Sequence, residues 1–123
     1  MSLYESPIEE RLGEMLQAVF DSYFPPGAVE LVPQYKSGRF RYDFAIVLPW
    51  RDIPIFLIEC DGKEYHRTAK QQENDRRKDL HARQIGSVCI RYTGSCIWQK
   101  PDGIAIELAT MVEYMRRWRG DAA

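Results

Sequence analysis

Apolar residues recur at three- to four-residue spacing from Ile8 through Leu12, Met15, Leu16, Val19 and Phe20. That period predicts an amphipathic first helix with one core-facing stripe. The preceding Ser6-Pro7-Ile8-Glu9 has the form of a helix start, with Ser6 as N-cap, Pro7 at the first helical position and Glu9 completing a capping box. Pro25-Pro26-Gly27 ends it. The period then shortens to two. Val29 to Lys36, containing Val32, Gln34 and Tyr35, reads as a strand, and Ser37-Gly38 supplies the turn after it. From Arg39 to Val47 the alternation puts Phe40, Tyr42, Phe44 and Ile46 on one face and Arg41, Asp43, Ala45 and Val47 on the other.

Pro49, within Leu48 to Asp52, interrupts the ladder and marks a hairpin connection, so Ile53 to Asp61 is expected to return antiparallel. Thr68 to Ile85 reads as a second helix, capped by Thr68 and stopped by Gly86, with Ala69, Leu80, Ala82 and Ile85 as its few apolar positions. Ser87 to Tyr92 is a short buried strand, and Thr93-Gly94 is expected to turn out of it. A final helix starting at Asp102 carries Ile104, Leu108, Met111, Val112, Met115 and Trp118 as its core stripe. The order is helix, three strands, helix, strand, helix: an α/β chain with a mixed sheet, expected as a single domain over residues 1–123. No internal repeat, low-complexity segment or linker interrupts it.

Composition narrows the class. A chain of 123 residues that is 45% hydrophobic and 28% charged can bury a core without staples. No apolar run is long enough to span a bilayer, and the N-terminus lacks the form of a secretion signal, so no membrane partner and a cytoplasmic location are expected. Cys60, Cys89 and Cys96 form no Cys-x-x-Cys pair, which indicates neither a disulfide framework nor a zinc knuckle. A formal net charge of -1 argues against indiscriminate coating of nucleic acid but not against local action on it.

Candidate chemistry concentrates in Ile58-Glu59-Cys60-Asp61-Gly62-Lys63-Glu64-Tyr65-His66. In a strand, Glu59 and Asp61 project from one face at its C-terminal end, Gly62 permits a sharp turn, and His66 returns within reach of the same spot. On the expected hairpin Asp43 lies near the level of Glu59, so three acids can converge. A mid-strand carboxylate is costly to bury without a partner; an ion pair of Asp43 with Arg41 or Arg39 is the plainer alternative. The charges of the second helix, including Lys70, Asp75, Arg76, Arg77, Lys78, Asp79 and Arg83, fit either a solvated face or a phosphate-contacting one. Arg116-Arg117-Trp118-Arg119 needs only the dipole of the last helix to explain its cations.

Taken together, Glu9, Tyr42-Asp43, Glu59-Cys60-Asp61-Gly62 and His66 resemble the PD-(D/E)xK nuclease superfamily, and most closely its small branch similar to very-short-patch-repair endonucleases, with a Glu-x-Asp-Gly-x-x-x-His signature. Asp75, Arg77, Leu80, Gly86 and Arg91 also fall where that branch tends to carry these residue types, and the likeness runs from about Ser6 to about Thr93. The resemblance implies a restriction-endonuclease-like core and a DNA endonuclease that nicks or cuts phosphodiesters with Mg²⁺ or Mn²⁺. Asp43 and Glu59 would match the metal-binding acids, the main-chain carbonyl of Cys60 would be a further ligand, and Glu9 would match the supporting acid of the first helix. Asp61 offers another hard oxygen of the kind these cations prefer.

One position departs from the superfamily pattern: Asp61 stands where the motif has lysine. The lysine's work would pass to Lys63, His66 or a residue of the charged helix such as Arg77, and the general base stays open among them. Lys63, Arg67, Lys70 and Arg77 are the candidate nucleic-acid contacts. The alternative is a nuclease-fold module that has lost turnover and binds nucleic acid or a protein. A homodimer or a larger partner protein is compatible with either, with Met111, Met115 and Trp118 able to serve an interface as well as a core.

Overall fold

A computed structural model describes residues 4–62 and 68–118. The element order is α1 (Pro7–Tyr23), β1 (Glu30–Ser37), β2 (Phe40–Val47), β3 (Phe56–Asp61), α2 (Ala69–Gln84), β4 (Val88–Thr93), α3 (Gly94–Gln99) and α4 (Pro101–Trp118). The four strands form one sheet in the order β1-β2-β3-β4, antiparallel across the first two pairings and parallel between β3 and β4. The expected mixed sheet with flanking helices is therefore present. α2 makes the crossover that the parallel pair requires.

The two faces of the sheet are built differently. On one, α1 and α4 pack Leu12, Leu16, Phe20, Ile104, Leu108 and Val112 against Phe44, Ile46 and Ile58, all buried. On the other, α2 contributes little apolar surface: Ala82 is its only buried residue, and it meets Tyr42, Ala45 and Leu57. Polar contacts make up the difference. Arg91 on β4 donates to Asp79 Oδ1 at 2.6 Å and to the Asp75 carbonyl at 3.1 Å, and Tyr42 Oη donates to the Lys78 carbonyl at 2.8 Å. Asp75, Asp79 and Arg91 thus tie α2 to the sheet.

Caps account for the helix boundaries. Ser6 Oγ accepts from the Glu9 N–H, with Pro7 opening α1 as expected, but the Glu9 carboxylate reaches the Glu5 N–H, so the reciprocal capping box does not form there. It forms at α2 instead, where Thr68 and Gln71 exchange side-chain-to-backbone bonds. At the end of β4, Thr93 does not lead into a turn: its Oγ1 accepts from the Cys96 N–H and starts the short α3. α4 then begins at Pro101, one residue ahead of the expected Asp102, because proline suits a first helical turn.

Three further expectations change. β3 begins at Phe56 rather than Ile53, since Pro54 has no N–H to donate to a ladder; only Ile55 keeps a bond back, to the Ile46 carbonyl at 2.9 Å. Trp118 is not core: it is 72% exposed and rests edge-on against Tyr114. Tyr42, finally, does not share a face with Phe44 and Ile46. It joins Ala45 and Leu57 on the α2 side, because the strand alternation breaks at Asp43.

Removing the buried Leu108 side chain (Leu108→Ala) should cost about 2–5 kcal/mol, as for other core truncations, and Thr68→Ala about 1 kcal/mol through the lost cap. Urea unfolding of the two variants checks both values.

Candidate active site

The break at Asp43 organises the site. β1 and β2 pair at Pro33–Phe44 and again at Tyr35–Tyr42, but the rung between them, Gln34 opposite Asp43, is missing. Gln34 has φ +52°, a left-handed conformation that a residue with a Cβ adopts only at a cost. β2 and β3 pair from Ile46–Phe56 to Phe44–Ile58 and then part, so the next two residues, Asp43 and Glu59, face each other across an opening fork. The Asp43 carboxylate takes over the ladder there, accepting the Cys60 N–H on Oδ2 at 2.7 Å.

Two helices close on this fork. From α1 comes Glu9, only 7% exposed, whose Oε2 accepts from the Glu5 N–H at 3.2 Å and from Gln34 Nε2 at 2.7 Å. From α2 comes Lys78, whose ammonium donates to Glu59 Oε1 at 3.0 Å and to the Arg41 carbonyl at 2.7 Å and lies 5.3 Å from the centre of the Tyr42 ring. Both side chains of the Lys78–Glu59 pair are only 15% exposed, so solvent screens the pair poorly. The pair is also directional, with a second acceptor holding the ammonium.

The fork is electrostatically unbalanced. Burial, the Glu59 charge and then the Glu9 charge push the Asp43 carboxyl up to about 7, against the opposing pull of the Cys60 N–H and Lys78. Burial, followed by Asp43, pushes the Cys60 thiol upward, so it stays protonated and its role at the site is through the backbone. Arg41, the plainer partner for Asp43, pairs instead with Glu5 at 2.7 Å, and Arg39 stacks on Phe40. Among the described residues, no arginine therefore neutralises Asp43.

Other expected residues fall out as follows. Asp61 ends β3, in register with Thr93 and half-buried. Arg77 pairs with Glu73 at 3.2 Å on the exposed side of α2, next to Lys70. The helix cation that reaches the acids is its neighbour Lys78. Lys63, His66 and Arg67 lie outside the described residues. Among the described residues, no group of three or more His, Cys, Asp and Glu side chains is arranged to hold a metal ion together. Gln34 and Lys78 are the site residues that sequence reasoning missed. Both left a trace: pairing across the Ser37-Gly38 turn puts Gln34 opposite Asp43, and Lys78 sits one helical turn before the buried Ala82.

A mixed four-stranded sheet, flanked by helices and carrying acids where two central strands part, defines a restriction-endonuclease-like protein. The family model REase_MTES_1575 matches residues 19–112, about three quarters of the chain. The chain belongs to this restriction-endonuclease-like family, and that membership points to nuclease chemistry. Such families generally use divalent metal ions. No curated protein and no solved structure matches the chain. The match covers Gln34, Asp43, Glu59 and Lys78; Glu9 lies ahead of it and enters the site on geometry alone. Among the described residues, no helix is long and apolar enough to cross a membrane.

The raised Asp43 carboxyl has a measurable consequence. Its folded pKa lies above the unfolded value near 3.8, so the native state binds the extra proton and stability falls as pH rises from about 4 to about 7, then levels off. Asp43→Asn removes that slope and can still accept the Cys60 N–H. The variant should be more stable than wild type at about pH 8, on the order of 1–3 kcal/mol, with the difference vanishing toward about pH 4. Urea unfolding of both proteins across this pH range measures it.

Proposed function

We propose that the protein is a divalent-metal-dependent endonuclease that hydrolyses DNA phosphodiester bonds at the Asp43–Glu59 fork. The observation that carries this reading is a largely buried carboxylate, Asp43, set against a second acid and a third beyond it with no arginine among the described residues to neutralise it. Protein interiors do not retain such an arrangement cheaply. The donors at the fork are hard oxygens, the chemistry that Mg²⁺ and Mn²⁺ prefer. Asp43 and Glu59, with the Cys60 carbonyl and Asp61, would hold the ion. It supplies charge screening of the phosphodiester and acidification of a bound water.

The chain's own residues divide the remaining work. The Cys60 N–H fixes the Asp43 carboxylate, and Glu9 adds negative charge from α1 that favours a cation at the fork. Lys78 takes the place of the lysine that the superfamily motif has at the position of Asp61. Its ammonium arrives from α2, held by Glu59 and the Arg41 carbonyl, where it can bind a phosphate oxygen and stabilise the charge that builds up there during attack. Its contact with Glu59 also keeps the two charges paired while no substrate is bound.

Cleavage of supercoiled plasmid should require Mg²⁺ or Mn²⁺, and Glu59→Gln should abolish it. Lys78→Met separates the roles: by removing a cation that competes for Glu59 it should leave Mn²⁺ binding intact or tighter, while slowing cleavage roughly a hundred- to a thousandfold. Plasmid nicking and Mn²⁺ calorimetry on the same preparations read both quantities. DNA binding that persists in Glu59→Gln, with no metal-dependent cleavage by wild type, would instead identify a binding module without turnover.

A further inference from the structure

Gln34 is the one described non-glycine residue with a positive φ, and it occupies the missing rung opposite Asp43. Its carboxamide is oriented by the hydrogen bond that Nε2 donates to Glu9 Oε2 at 2.7 Å. The oxygen is thereby turned away from Glu9. That oxygen, Oε1, is buried and has no hydrogen-bond partner among the described residues.

A buried amide oxygen without a donor costs about 1–3 kcal/mol. Here the cost adds to a left-handed backbone at the same residue, beside the buried Glu9 and across from Asp43. Two local penalties on one side chain at the fork indicate a requirement the described residues alone do not meet. The acids around it are themselves acceptors and supply no donor. A hydrated divalent cation does, since Mg²⁺ and Mn²⁺ retain several waters whose hydrogens point outward from the ion.

We infer that Gln34 belongs to the cation site: Nε2 positions Glu9, and Oε1 accepts a hydrogen bond from a water that the cation carries. The inference rests on the metal-dependent reading of the fork and extends it to a side chain on β1. Gln34 is then a positioning residue, acting on the cation through its hydration shell and on Glu9 directly. An ordinary structural water at Oε1 would satisfy the oxygen as well, but it would leave cation affinity independent of Gln34.

The test is Mn²⁺ calorimetry on wild type, Asp43→Asn, Gln34→Met and Gln34→Glu, with urea unfolding of each in EDTA. Gln34→Met keeps the length of the side chain and removes both polar atoms. It should weaken Mn²⁺ binding roughly ten- to a hundredfold, the usual consequence of losing a group that supports the ligands. Gln34→Glu restores an acceptor with a charge, so it should bind Mn²⁺ at least as tightly as wild type while being less stable in EDTA. This second variant carries the test if Gln34→Met does not fold. Wild-type Mn²⁺ affinity in Gln34→Met, or no gain of Gln34→Glu over Gln34→Met, would overturn the role of Gln34 while leaving the fork intact, provided Asp43→Asn abolishes binding. Absence of Mn²⁺ binding in wild type would overturn both.

Discussion

Two half-buried carboxylates facing each other across the point where two strands part are the constraint around which this structure is arranged. Asp43 and Glu59 follow the last paired rung between β2 and β3, and beyond it the strands part. Continuing the ladder would align the acids on adjacent strands with nothing between them. Instead, Asp43 accepts the Cys60 N–H, Glu59 accepts from Lys78, and the fork stays open toward the C-terminal end of β3. Burial first, and then the charges of Glu59 and Glu9, which Lys78 offsets only in part, make Asp43 take up a proton near neutrality.

The asymmetry of the sheet follows from this arrangement. The face covered by α1 and α4 is an apolar core that needs no chemistry to explain it. The face under α2 is held by one small buried side chain and a set of polar ties, among them Arg91 with Asp79 and Tyr42 with the Lys78 carbonyl. A helix fastened in this way can carry a lysine inward without burying it in hydrocarbon. The ammonium meets the Tyr42 ring, a carbonyl and a carboxylate, each favourable to a cation. Burial raises the Tyr42 hydroxyl well above its ordinary range, so it remains a donor and keeps α2 seated over the fork.

Much of this was legible in the chain itself, for physical reasons that differ from element to element. The apolar period of α1 and the Ser6-Pro7 start located that helix, and the turn signals at Ser37-Gly38 and Pro49 set the hairpins that bring Asp43 level with Glu59. What periodicity does not encode is its own interruption. The left-handed Gln34 moves Tyr42 to the α2 face, and a strict period of two assigns it to the wrong side. α3 was missed because its start depends on one hydroxyl, Thr93 Oγ1, in a Thr-Gly pair that equally suits a turn. Lys78 was hidden among like residues: eight charged positions on one helix look equivalent until a sheet is placed beneath them. Arg77 then falls outside with Glu73, and its neighbour falls inside with Glu59.

The measurement that bears most directly on the central claim is the number of protons released when Mn²⁺ binds. Titration near pH 6.5 in two buffers of different ionisation enthalpy separates the proton count from the binding heat. If the fork is a cation site, Mn²⁺ must displace the proton that Asp43 holds, so binding should be saturable and release between about half a proton and one proton. Asp43→Asn should lose that release together with most of the affinity. Saturable binding with no proton released, and unchanged in Asp43→Asn, would place the ion elsewhere and contradict the account.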